Sequence, residues 1–155
     1  NFATANDTGI TIMAVEASVF HQEMFARHKD EYGPKIRQLI EKGLNISAIE
    51  YAKALRTRAQ LQDNMKSLFS RVNALVTPGA AGAAPKSLAT TGSAVMQGPW
   101  SVTGLPAISL PTGLSKDGLP LAIQLVGPQL GEASLFAVVR WCERALDVQL
   151  RPSLE

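Results

Sequence analysis

His21, His28, Cys142, Lys86 and Ser93 are the side chains from which this chain could assemble nucleophilic, acid–base or metal chemistry. Hydrolysis or group transfer needs an activated nucleophile, a base and donors for the oxyanion. The two histidines stand two helical turns apart in "VFHQEMFARHKD", roughly 10 Å along a helix, too far to share one metal ion. "HQEMF" lacks the second histidine of a zinc-protease HExxH pair, so no metal ligands are assigned. His21 reads as a satisfied, partly buried histidine and His28 as a surface one. Cys142 falls on the apolar side of a helical pattern, where a structural thiol is expected. Lys86 and Ser93 share one long loop, but no strained glycine-rich turn aims the serine, and GxSxG, P-loop and GxGxxG patterns are absent. No catalytic residue is assigned, and no cofactor is expected.

The elements that would hold these groups are read from periodicity. Helices are expected over about 8–30, 34–42, 47–71 and 132–146, and strands over about 74–76, 107–110 and 121–126. In the first helix Ile10, Met13, Ala14, Ala17, Phe20, His21, Met24 and Phe25 share a face. Pro34 suits a helix start, and Gly43 the C-terminal cap of the same helix. "SAIE" (Ser47 to Glu50) is a capping box opening the third helix, whose later apolar face carries Leu61, Met65, Leu68, Phe69 and Val72. The last helix sets Leu135, Val138, Val139, Cys142 and Leu146 together. Between Gly79 and Val102 the chain is rich in Gly, Ala, Ser, Thr and Pro, and Lys86 is its one charge, which reads as a loop lying over a cavity. "TGLPAISLPTGLSKDGLPLAIQLVGP" (Thr103 to Pro128) reads as two strands, apolar on both faces, joined by a polar turn. A hairpin of that kind needs further cover, which points to neighbours outside this sequence.

Composition sets the class. The 155 residues suit one domain, and 46% hydrophobic with 18% charged residues describes a globular protein. Fifteen basic residues stand against 13 acidic ones with no Lys/Arg block, which argues against nucleic acid and anionic membrane as partners. No apolar run reaches membrane-spanning length and no signal peptide is evident, while the lone cysteine fits a reducing, cytoplasmic setting. The opening "NFATANDTG" without Met hints at a processed or truncated product.

Gly98 to Leu146 resembles the C-terminal part of amidase signature enzymes. The residues that carry the likeness are Pro99, Gly104–Leu105–Pro106–Ala107, Ser109–Leu110–Pro111–Thr112–Gly113, Asp117–Gly118–Leu119–Pro120, Gln124–Leu125–Val126–Gly127 and Glu132. Upstream, Glu16–Ala17, His21, Tyr32–Gly33, Arg37, Gly43, Tyr51, Arg58, Phe69 and "NALVTP" follow the order of the same family. The resemblance implies an α/β fold in which this chain is the helix-rich C-terminal part of an α/β/α sandwich with a mixed sheet. It implies hydrolysis of a carboxamide, a small-molecule amide substrate, by a serine nucleophile activated through a second serine held by a cis peptide, with a neutral lysine as base. A cis bond there costs about 3 kcal/mol, which the fold must enforce. Those groups belong to the missing N-terminal portion of the same enzyme, so the chain alone is expected to be inactive and to self-associate where its hairpin is uncovered. What carries over is part of an acyl-side pocket wall: Met96, Gln97, Trp100 and Ser101.

Two departures narrow the substrate. The glutaminase subunits of aminoacyl-tRNA amidotransferases tend to place an acid shortly before the proline that matches Pro99, and here the stretch is "GSAVMQ". Ser101 stands where the family often has Asn, and Asn73 where Asp is frequent before "ALVTP". An aromatic-edged, uncharged pocket favours a simple amide. A glutamine-hydrolysing amidotransferase subunit is the alternative. A non-catalytic helical module, docking through the helix of Ser47 to Arg71, is the reading from another class, and it requires a polar, solvated hairpin.

Overall fold

The computed structural model describes residues 4–149. They form five α-helices and three strands, in the order α1 (Ala5–His28), α2 (Pro34–Leu44), α3 (Ala48–Phe69), β1 (Leu75–Pro78), α4 (Gly98–Thr103), β2 (Ala107–Leu114), β3 (Pro120–Val126) and α5 (Glu132–Leu146). The described residues divide into two compact units, with the division between Leu61 and Gln62 within α3.

The first unit is an α1–α2 pair followed by the start of α3. The buried side of α1 carries Ala5, Thr8, Ile12, Ala14, Ser18 and Phe25. That corrects the expected face, because Ile10, Met13, Phe20 and Met24 are exposed. The helix is apolar on more than one side, so periodicity could not choose, and close packing did. Small Ala14 and Ser18 admit the backbone of α2 at Gly43, where an added Cβ would lie 1.9 Å from the Ala14 carbonyl oxygen. Gly43 therefore sits inside α2 as a contact residue; the helix is capped by Asn45 instead. A 3-10 turn over Lys29–Glu31 ends α1 earlier than the expected boundary. The Ser47 box is formed: the Glu50 carboxylate accepts from Ser47 N–H at 2.9 Å and from its hydroxyl at 2.8 Å, while Ser47 Oγ accepts from Glu50 N–H at 3.2 Å.

The second unit is built on an antiparallel sheet of order β1-β3-β2. The strands run longer than expected, β2 extending to Leu114 through an irregularity between Pro111 and Gly113, and β1 through Pro78. The hairpin turn is closed by Ser115 N–H to Leu119 C=O at 2.8 Å, with Gly118 at φ 77°, a left-handed conformation that glycine takes without a Cβ clash. Both faces of β3 are covered. On one, Leu110 and Leu125 pack with Leu135 and Val139 of α5, joined by Ile108, Ile123 and Cys142. On the other, Val126 packs with Trp100 of α4 and Met65 of α3, with Leu68, Phe69, Leu75 and Leu105 around them. Burying a leucine of this kind contributes roughly 2 kcal/mol. A mixed sheet is not seen among the described residues; the three strands here are all antiparallel.

Candidate functional site

Residues 79–97 leave β1 and return to α4 as a long loop. Its course is set by local hydroxyls, since Ser87 Oγ accepts from Ala89 N–H, Thr90 Oγ1 from Gly92 N–H and Ser93 Oγ from Val95 N–H. Side-chain acceptors of this kind replace ladder bonds where no strand or helix forms. The loop and the sheet bound a concavity of about 730 Å³, lined by residues 78–85 and 91–93 of the loop side and by Ser109, Pro120, Leu121 and Ala122 of the sheet. The expected cavity is thus present. The final turn of the stretch is not loop, however, because Gly98–Thr103 is α4.

The lining is peptide groups, small apolar side chains and the hydroxyls of Thr91, Ser93 and Ser109, with no charged side chain. Such a surface can hydrogen-bond a neutral polar group but supplies neither base nor activated nucleophile. Ser93 faces it; Lys86 is not among the lining residues.

The four expected wall residues form one run at the loop's return. Trp100 is 8% exposed, its ring in the core with Met65 and Val126. Met96 and Gln97 are half-buried and Ser101 is exposed. None of the four lines the concavity. The run is tied to the sheet by two carboxamides. Gln97 Nε2 donates to the Gly79 carbonyl. Gln124 Nε2 donates to the Met96 carbonyl at 3.1 Å and to Thr77 Oγ1 at 3.2 Å. Below them Thr103, fully buried, donates its hydroxyl to the Pro99 carbonyl at 2.6 Å, and its own carbonyl accepts from Gln62 Nε2 at 3.1 Å. Gln124 was marked in the sequence only as the start of the Gln124–Gly127 run that carries the family likeness, and no site role was read for this one amide inside "LAIQLV".

The remaining candidates are structural. His21 Nδ1 lies 3.0 Å from the Tyr32 hydroxyl and edge-on to that ring, and His28 pairs with Glu31 at 2.8 Å on the surface. Tyr51 donates to the Glu16 carboxylate at 3.2 Å; desolvation first, and that carboxylate second, raise its phenol above the ordinary tyrosine range. Cys142 is half-buried against the α5 core. Among the described residues no group of three His, Cys, Asp or Glu could hold a metal ion, and no helix is long and apolar enough to cross a membrane.

Comparison with known proteins decides the family. The family model described as Amidase matches residues 1–136. The chain belongs to the amidase family. A Mycobacterium tuberculosis protein named as an amidase, AmiD, is 31% identical over 129 residues, which is 77% of this chain and 27% of that protein. A glutamyl-tRNA(Gln) amidotransferase subunit from Granulibacter bethesdensis is 32% identical over 145 residues, 85% of this chain and 29% of its own length. A crystal structure of an amidase superposes with a TM-score of 0.84 at 22% identity, covering 93% of this chain and 36% of that one, so the fold is an amidase-type α/β fold. The chain spans under a third of the length of these curated relatives.

Proposed function

We propose that this chain is the C-terminal portion of an amidase that hydrolyses a carboxamide C–N bond, taking up water and yielding a carboxylate and ammonia. The observation that carries this reading is the family match over residues 1–136. In the mechanism that the family resemblance implies, a serine oxygen adds to the amide carbon and the C–N bond breaks as the leaving nitrogen takes a proton. Water then releases the carboxylate from the acyl-serine. The serines and lysine of that sequence lie outside these 155 residues, and the missing N-terminal portion of the enzyme is the partner this chain requires. The role left to this chain is framing the site: Met96, Gln97 and Ser101 form part of the acyl-side wall, and Trp100 supports that wall from the core behind it. The setting is cytoplasmic, without nucleic acid, membrane or cofactor.

The likeness to a glutamyl-tRNA(Gln) amidotransferase favours a second reading, glutamine hydrolysis that feeds ammonia to a tRNA-bound acceptor. Against it stands "GSAVMQ", which offers no carboxylate for the glutamine amino group. The non-catalytic helical module is opposed by burial of Leu110, Leu125 and Val126 in the hairpin. Ammonia release by the intact protein from simple aliphatic and aryl amides, compared with glutamine, tests the choice: simple amides turn over and glutamine does not. Preferred turnover of glutamine would overturn the first reading in favour of the second.

A further inference from the structure

Gln124 stands in the middle of the central strand, 4% exposed and flanked by Ile123 and the fully buried Leu125. A carboxamide in such a place is costly unless its donors are met, and a leucine would fill the space without that cost. Both its known bonds leave β3. One reaches Thr77 of β1, just before the loop departs; the other reaches the backbone of Met96, just where the loop returns. Gln97, the next residue, donates back across the same gap to Gly79. Gly79 is itself fastened to the sheet by its N–H on the Ala122 carbonyl at 2.8 Å. Two side-chain amides thus cross the neck of residues 80–95 in opposite senses, immediately before α4. Each acts on a backbone carbonyl, so the position they impose does not depend on side chains of the loop. From Ala94 onward the backbone then coils into the helix, with Gln97 and Gly98 N–H both on the Ala94 carbonyl and Trp100 and Ser101 N–H on that of Gln97.

We infer that Gln124 and Gln97 form a two-amide clamp that closes the neck of the loop and fixes the height of Met96–Ser101 above the sheet, making Gln124 a positioning residue for acyl-group selectivity. The selectivity half rests on the functional reading above; the clamp itself does not. The loop can then vary in sequence or open over the concavity while the wall behind it stays in register.

Backbone hydrogen exchange on the intact protein tests this, comparing wild type with Gln124→Met, which keeps volume but removes both donors, and Gln97→Met, which removes only the bond to Gly79. The clamp requires about ten-fold faster exchange at the amides of Gln97, Gly98, Trp100 and Ser101 in Gln124→Met, with the β2–β3 ladder amides unchanged. In kinetics the ratio of kcat/KM for large over small acyl amides shifts several-fold, through KM more than kcat. Unchanged exchange at 97–101, or equal loosening of α4 and the ladder, overturns the proposal. Should Gln124→Met fail to fold, Gln97→Met decides on the same amides. Exchange is read without substrate, so failure of the functional reading shows separately, as a wild type inert toward every amide.

Discussion

At Gly43 two helices meet with no room for a methyl group. A Cβ there would lie 1.9 Å from the Ala14 carbonyl oxygen and 2.7 Å from Ser18 Oγ, and a backbone carbonyl within a helix cannot turn aside as a side chain can. Gly43→Ala gains helix propensity worth about 1 kcal/mol, yet overpacking costs about 1–3 kcal/mol and here falls on backbone. Net destabilisation in urea unfolding is expected, and a more stable variant would show that α1 and α2 do not approach this closely. Trp100 is a second residue whose role is decided by its surroundings. Buried against Met65 and Val126, it should cost about 3–5 kcal/mol of stability when changed to Ala. A selectivity change with unaltered unfolding would instead place the ring on the pocket wall. At Glu50 the two Ser47 bonds, the backbone one first, hold the carboxyl below the usual glutamate range. The folded form therefore favours the carboxylate: the cap is complete above the unfolded pKa and is lost as pH falls through the lower folded one. An NMR titration should find the Glu50 midpoint depressed, and Ser47→Ala, which removes the hydroxyl but keeps the backbone N–H bond, should move it only part of the way back.

Between elements, the exposed loop is where the chain opens to a protease. Lys86 lies in a run of exposed residues from 84 to 95, outside any helix or strand, and Lys116 sits in a hairpin turn tied by Ser115 bonds to Asp117 and Leu119. Limited trypsin treatment should cut first after Lys86; an initial cut within α1 or α3 would contradict the described helices. Several features of this scale were legible in the sequence. The Ser47–Glu50 box marked the start of α3 because its chemistry is local, and the hairpin announced itself by its apolar strands around "GLSKDG". The buried side of α1 was not legible, since Ile10 and Met13 are as apolar as Ile12 and Ala14, and the choice fell to the approach of Gly43. Residues 98–103 read as loop because Gly98 and Pro99 punctuate them, yet Pro suits a first helical turn and Trp100 holds that turn to the sheet. Gln124 was visible as part of the Gln124–Gly127 run, but nothing in the sequence showed what its amide bonds. Its partners, Thr77 and Met96, lie 47 and 28 residues away in sequence, a coincidence that only folding brings about.

At the scale of the whole molecule, the chain matches an amidase fold along nearly all its length while spanning only about a third of the matching structure. Its own helices cover both faces of β3, yet Val76, Leu121, Phe136 and Trp141 of the second unit remain exposed. The outer edges of β1 and β2 have no strand beside them among the described residues. Unpaired edges and apolar patches drive association, so the isolated 155 residues should elute as oligomers by size exclusion with light scattering and bind a hydrophobic dye. A dilute monomer without dye binding would mean that this surface needs no cover. On the proposed function, this chain frames an amide-hydrolysing site whose reacting groups lie elsewhere in the enzyme. Ammonia release from a panel of simple carboxamides decides this, measured for the 155 residues alone and after they are joined to the N-terminal portion of their enzyme. None is expected from the chain alone, and serine-probe-sensitive release is expected from the joined protein. Turnover by the chain alone, abolished by the same probe, would contradict it.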